Sequence, residues 1–147
     1  MKYLGIDLGS KTLGLATGTG IIASPWKTLK FKEHNFTLAL EMLLMAIGEY
    51  QPNQVIIGYP LNMDGSVGKS AEIVLEFKKL LESKISKDLT VVLFDERRTT
   101  FSAHQVLIDA NIKRAKRKEL KDKLAATIIL QTYFDKLKFA NSNSSER

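Results

Sequence analysis

Lys2-Tyr3-Leu4-Gly5-Ile6-Asp7-Leu8-Gly9-Ser10-Lys11-Thr12-Leu13-Gly14-Leu15-Ala16-Thr17-Gly18-Thr19-Gly20-Ile21-Ile22 opens the chain. Residues 2–8 have the length and apolar content of a strand, and the turn around Gly9-Ser10-Lys11 closes it. Residues 13–17 and 21–29 read as two more strands, with Gly18-Thr19-Gly20 supplying a tight hairpin between them. Three hairpin-linked strands make an antiparallel meander.

After the meander the period changes. Residues 37–50 carry Leu40, Leu43, Leu44 and Ile47 on one helical face, and Pro52-Asn53 breaks the run. Val55, Ile56 and Ile57 form a short continuous apolar run within residues 54–59, the mark of a strand covered on both faces. Helical spacing returns over residues 70–86 through Ile73, Val74, Phe77, Leu80 and Leu81. Residues 89–94 form a second buried strand. Residues 101–110 read as a helix capped by Thr99 or Thr100, and residues 120–137 as the last helix. The order β-β-β-α-β-α-β-α-α predicts an α/β fold with a five-stranded mixed sheet, a three-strand antiparallel meander joined to two parallel strands and flanked by helices.

The chain has 147 residues, 44% of them hydrophobic. A chain of this size buries about 68–70% of its unfolded surface and closes one core without staples. It has no cysteine, which excludes disulfides, thiolate zinc sites and cysteine nucleophiles. No apolar run approaches the roughly 20 residues of a membrane span, and the start lacks the features of a signal peptide. A soluble cytoplasmic protein is expected. Residues 113–123 hold seven basic residues (Lys113, Arg114, Lys116, Arg117, Lys118, Lys121 and Lys123) against Glu119 and Asp122, and so contribute +5 of the net +6. Such a stripe favours a polyanion, nucleic acid first and a membrane surface second; a solvated lysine-rich linker is the plainer reading.

Chemistry is suggested by acids that local structure does not favour. Asp7 lies in a strand among apolar residues and glycine, where aspartate is depleted and a buried unpaired carboxylate is costly. A capping role toward the amides of Gly9 and Ser10 is the structural alternative. Asp95 and Glu96 end the second buried strand, where open α/β sheets place their ligands, and strand alternation allows only one of them into a given site. Pairing with Arg97 and Arg98 is the plainer role. Asp122 shares a helical face with Ala126, Ile129 and Tyr133, although an acid near a helix start also suits the helix dipole. Acids from two strands and one helix that meet beside a sheet edge suit Mg²⁺, which takes hard oxygen ligands. Two such ions activate water and stabilise the leaving oxygen of a phosphodiester.

The loop from Asn62 to Ser70 ends in Gly68-Lys69-Ser70 but has Met63 where a Walker A loop needs glycine, so it is read as a strand-to-helix turn with amides open to phosphate or backbone. His34 and His104 have no partner at metal-ligand spacing, and Trp26, Phe36 and Phe77 read as core.

Gly5-Ile6-Asp7-Leu8-Gly9-Ser10-Lys11, Gly58-Tyr59-Pro60-Leu61-Asn62-Met63-Asp64-Gly65-Ser66, Asp95-Glu96-Arg97 with Thr99-Thr100, and Asp122 followed by Ala125-Ala126 and Ile128-Ile129-Leu130 resemble the YqgF/RuvX family. Its members are described as Holliday-junction resolvases and as nucleases maturing the 5′ end of the small-subunit ribosomal RNA precursor. The resemblance implies an RNase H-like nuclease domain over residues 1–139, and the composition of Asn141-Ser142-Asn143-Ser144-Ser145-Glu146-Arg147 reads as a disordered tail over 140–147. It implies Mg²⁺- or Mn²⁺-dependent phosphodiester hydrolysis with Asp7, Asp95 or Glu96, and Asp122 as metal ligands. The nucleic-acid contacts expected are Lys11, Asn62, Arg97, Arg98, Lys113, Arg114, Lys116, Arg117 and Lys118. The partners implied are precursor rRNA or branched DNA, with ribosomal particles, no membrane, and a monomer or homodimer. Two positions depart from the family pattern: Lys123 stands where a small residue is common, and Tyr59 where a smaller aliphatic is usual. Two other readings compete with the nuclease. One is an RNA- or ribosome-binding module with idle acids; the other is an ATPase-like domain, whose first phosphate loop also looks like Gly5-Ile6-Asp7-Leu8-Gly9.

Overall fold

The computed structural model describes residues 1–95 and 114–145, with side chains over 1–95 and 124–140. Its elements are β1 (Tyr3–Leu8), β2 (Thr12–Gly18), β3 (Ala23–Lys30), α1 (Phe36–Tyr50), β4 (Gln54–Tyr59), α2 (Lys69–Glu82), β5 (Thr90–Asp95) and α3 (Arg114–Ser145). The five strands form one sheet in the order β3-β2-β1-β4-β5. Pairing is antiparallel from β1 to β2 and from β2 to β3, and parallel from β1 to β4 and from β4 to β5. The expected mixed sheet is therefore present, with β1 at its centre and hydrogen-bonded on both sides.

Period-two alternation divides the core between two layers. Leu4 and Ile6 of β1, with Val55 and Ile57 of β4, pack against Leu40 and Leu43 of α1 and Val74, Phe77 and Leu81 of α2. On the other face, Tyr3, Ile56 and Phe94 pack against Ala126, Ile129, Leu130 and Phe134 of α3. Both faces of β4 are covered, which is why its sequence is a continuous apolar run.

Helix ends follow local chemistry. Asn35 caps α1 by accepting the Leu38 amide at 3.1 Å, and Gln51 ends it in the left-handed region, donating its amide to the Ile47 carbonyl at 2.7 Å. Pro52 then prevents continuation. At the β3 edge a bulge changes the register between Leu15 and Ala16, opposite Lys27 and Pro25. Proline has no amide to offer a ladder, so an edge strand beside a bulge accommodates it.

Two expected boundaries move. Ile21 and Ile22 lie outside β3 and are 78% and 70% exposed. The Gln131 side chain draws this turn onto α3, donating to the Ile21 carbonyl at 2.9 Å and accepting the Ala23 amide at 2.9 Å. α3 runs beyond 120–137 at both ends and continues to Ser145, into the segment whose composition reads as a tail. No glycine or proline interrupts Arg114–Ser145, and each added residue contributes one more helical bond. The helix expected over 101–110 lies outside the described residues.

Candidate active site at the carboxyl edge of the sheet

Asp7 is the second-to-last residue of β1 and is half-buried. Tyr3 belongs to the core layer under α3, while Leu4 and Ile6 belong to the layer under α1 and α2. Alternation therefore puts Gly5 and Asp7 on the α3 face. The Tyr3 ring packs edge-on against Phe134, with centroids 5.0 Å apart. A Cβ on Gly5 would stand 2.8 Å from Leu130 Cβ and 3.1 Å from the Ala126 carbonyl oxygen. Moving along β1 from Tyr3 to Gly5 thus moves toward the N-terminus of α3. One more step of two residues brings Asp7 opposite the turn from Asp122 to Ala126. Ala126 and Ile129 are fully buried against the sheet. The Asp122 side chain lies outside the described residues.

Asp95 stands on the other side. Val92 and Phe94 of β5 join the α3 layer, and Val91 and Leu93 join the α1–α2 layer. Asp95 follows Phe94 and pairs with Tyr59, which also packs in the α1–α2 layer. By strand alternation Asp7 is on the α3 face of the sheet and Asp95 on the α1–α2 face. Glu96, Arg97, Arg98 and Lys113 lie outside the described residues.

Lys11 is exposed in the β1–β2 turn at the same carboxyl edge, and its carbonyl accepts the Phe31 amide at 2.9 Å. Beside it a cavity of about 300 Å³ is lined by Gly9, Ser10, His34, Phe36, Lys69 and Ser70. Asn62 has a structural task in the loop from β4 to α2, where its Nδ2 donates to Ser66 Oγ at 2.9 Å. Arg114, Lys116, Arg117 and Lys118 occupy the first turns of α3.

Hard carboxylate oxygens are the donors Mg²⁺ and Mn²⁺ take, and a cysteine-free chain has no thiolate to divert the site to a softer metal. Asp7 on the α3 face fits that chemistry. Among the described residues no group of three His, Asp or Glu is close enough to hold an ion. The Glu96 and Asp122 side chains lie outside the described residues.

Sequence reasoning passed over two residues. Gly5 reads as part of a glycine motif, yet its missing side chain is what lets α3 lie on β1. Met63 reads as the residue that spoils a Walker A loop and as part of a family block, yet it is 77% exposed in the loop after β4. A large apolar residue inside a loop of turn-forming residues is the signal that could have marked it.

A central β1 carrying a carboxylate at its end, a mixed five-stranded sheet in this order and a helix laid across the site define an α/β protein of the RNase H-like class. Residues 1–136 match the family model described as "RuvX: Holliday junction resolvase", and the chain belongs to that family. A Geobacillus protein named "Putative pre-16S rRNA nuclease" is 44% identical over 137 residues, covering 92% of this chain and 98% of that one. Among solved structures, Thermus thermophilus RuvC in complex with a Holliday junction substrate is similar with a TM-score of 0.57 and 16% identity, over 88% of this chain and 91% of that one. The yeast mitochondrial Holliday junction resolvase is similar with a TM-score of 0.58 and 12% identity, over 98% of this chain and 83% of that one. At these identities the two structures speak for the fold alone.

Proposed function

We propose that the chain is a divalent-metal-dependent endonuclease that hydrolyses phosphodiester bonds in structured nucleic acid, either the 5′ region of precursor rRNA or branched DNA. The observation that carries this reading is Asp7 on the α3 face of the central strand, two residues beyond the point where α3 packs on Gly5. Asp7, Glu96 and Asp122 would hold Mg²⁺ or Mn²⁺. Glu96 takes precedence over Asp95 because Asp95 shares the α1–α2 face with Leu93 and Tyr59.

When bound, the metal supplies charge neutralisation at the phosphate and activation of water. The chain supplies placement. Ladders on both sides of β1 fix the backbone that carries Asp7. Close packing of α3 on Gly5 fixes the spacing between that strand and the Asp122 turn. In-line displacement needs water, phosphorus and leaving oxygen aligned near contact distance, so this rigidity bears directly on rate. Lys11 and the basic first turns of α3 neutralise the flanking phosphates.

The test is cleavage of a four-way DNA junction and of a precursor rRNA fragment in Mg²⁺ or Mn²⁺. Asp7→Asn and Glu96→Gln are expected to slow cleavage at least ~10²-fold, the scale on which loss of one charge-stabilising group slows a reaction. Binding and melting temperature should stay near those of the parent, and Asp95→Asn should retain most activity. Full activity of Asp7→Asn removes Asp7 from the site. Tight binding with no metal-dependent cleavage by the parent makes the chain a binding module instead.

A further inference from the structure

We propose that Met63 is an apolar wedge that enters a base step of the nucleic-acid substrate and sets a preference for branched or partly unpaired sites. This inference rests on the nuclease reading above. Met63 lies in the loop between β4 and α2, and its side chain is 77% exposed.

The loop is built to hold Met63 out. Asp64 Oδ1 accepts both the Ser66 amide at 2.9 Å and the Ser66 hydroxyl at 2.6 Å, while Asn62 Nδ2 donates to that hydroxyl at 2.9 Å. The Asn62 amide donates to the Ser66 carbonyl at 3.0 Å, and the Gly65 amide to the Asn62 carbonyl at 2.8 Å. Gly65 has φ 88°, a conformation that favours glycine, and a Cβ on Gly68 would stand 3.0 Å from Asn62 Oδ1. The turn is therefore ordered before any partner arrives, and no further ordering entropy is needed to present its tip. Asn62, Asp64 and Ser66 are hydrogen-bonded to one another. The tip thus presents an apolar side chain beside polar groups that are already bonded to one another.

Its position suits this role. The last pair of the β1–β4 ladder is Ile6 with Ile57, and one residue further the two strands carry Asp7 and Gly58. The loop leaves β4 directly after that point, so nucleotides next to a phosphate held at Asp7 come within its reach. Lys69, exposed where α2 begins, offers a cation to the adjoining phosphate. Methionine is unbranched and polarizable, and it is among the side chains that insert between base steps. Insertion costs least where stacking is already broken, at a branch or at the end of a duplex.

The test uses the full chain without divalent metal, bound to a four-way DNA junction with 2-aminopurine beside the branch. The parent is expected to raise the fluorescence as the base unstacks. Met63→Ala and Met63→Gln should lose most of this rise, with binding within about fivefold of the parent, the scale of one lost stacking contact. Met63→Leu should keep it. Met63 is exposed, so all three should melt with the parent. In Mg²⁺, a junction with a mismatch already opened at that step should bring Met63→Ala cleavage back to the parental rate. An unchanged fluorescence rise in Met63→Ala, or a cleavage defect that persists on the opened junction, overturns the wedge. Absence of binding and cleavage in the parent overturns the nuclease reading itself.

Discussion

Gly5 and Leu130 meet where no side chain fits: a Cβ on Gly5 would stand 2.8 Å from Leu130 Cβ. α3 consequently rests on the bare backbone of β1, two residues before Asp7. The same device recurs at Gly18, where a Cβ would stand 2.6 Å from Cε2 of Phe134. Glycine at both points sets the height of the helix over the sheet. That height in turn fixes how far the Asp122 turn stands from Asp7.

Gly5→Ala should therefore act on stability and catalysis together. Forcing a methyl group into a filled interface costs about 1–3 kcal/mol, so the urea midpoint should fall accordingly. The helix has to lift to admit the methyl group, so cleavage in Mg²⁺ should drop further than the change in folded fraction explains. Activity equal to the parent's at full folding would show that the helix height is not set at Gly5.

Tyr133 provides a pH test of the same interface. Its hydroxyl donates to Gln54 Oε1 at 3.1 Å, and its ring packs against Tyr3 and Phe94. Burial, and then the charge of nearby Tyr3, push its pKa above the ordinary tyrosine value of 10.0. The folded chain therefore favours the neutral phenol. The associated stability is intact below the ordinary value and is lost as pH rises through the raised one. Tyr133→Phe should flatten that alkaline decline in melting temperature and, by losing the bond to Gln54, melt slightly lower at neutral pH. An alkaline decline unchanged in the variant would remove Tyr133 as its source.

The parts of this architecture legible in the sequence are those decided by neighbours along the chain. Val55-Ile56-Ile57 could only be a strand covered on both faces, and β4 has the bounds Gln54–Tyr59 that its composition suggests. The meander followed from its glycine-rich turns and short apolar runs. What was not legible depends on residues far apart. The turn at Ile21 is held by Gln131, so local apolarity misplaces Ile21 in a strand. Asp7 and Asp95 look equivalent as strand-end acids. Only the sheet register and the layer each helix covers separate their faces. The need for glycine at position 5 arises from Leu130 and Ala126, which no local pattern announces.

Gly48 is the counter-case to Gly5. It lies inside α1, and a Cβ there would meet nothing within 4 Å. Glycine in a helix interior costs about 1 kcal/mol relative to alanine. With space available, Gly48→Ala should stabilise the fold by about that amount, seen as a higher urea midpoint with an unchanged slope. Gly48 lies beside Gln51 and Asn53 at the amino end of β4, opposite the carboxyl edge that carries Asp7, so cleavage should be parental. A destabilised Gly48→Ala would mean that α1 is packed more tightly at this point than its backbone indicates.

The basic stripe separates binding from stability most directly. Lys116, Arg117 and Lys118 lie within α3. Replacing all three by alanine should leave the melting temperature unchanged or raise it slightly, because alanine favours the helix. Binding to a DNA junction or precursor rRNA should weaken and become less sensitive to salt. Each phosphate contact contributes about 0.9 to the slope of log K against log salt on duplex DNA, so the slope should fall by roughly 2.7 if all three side chains touch phosphate. A retained slope with weakened binding would assign these residues to the shape of the helix. A retained slope and affinity would move the nucleic-acid surface to another part of the chain.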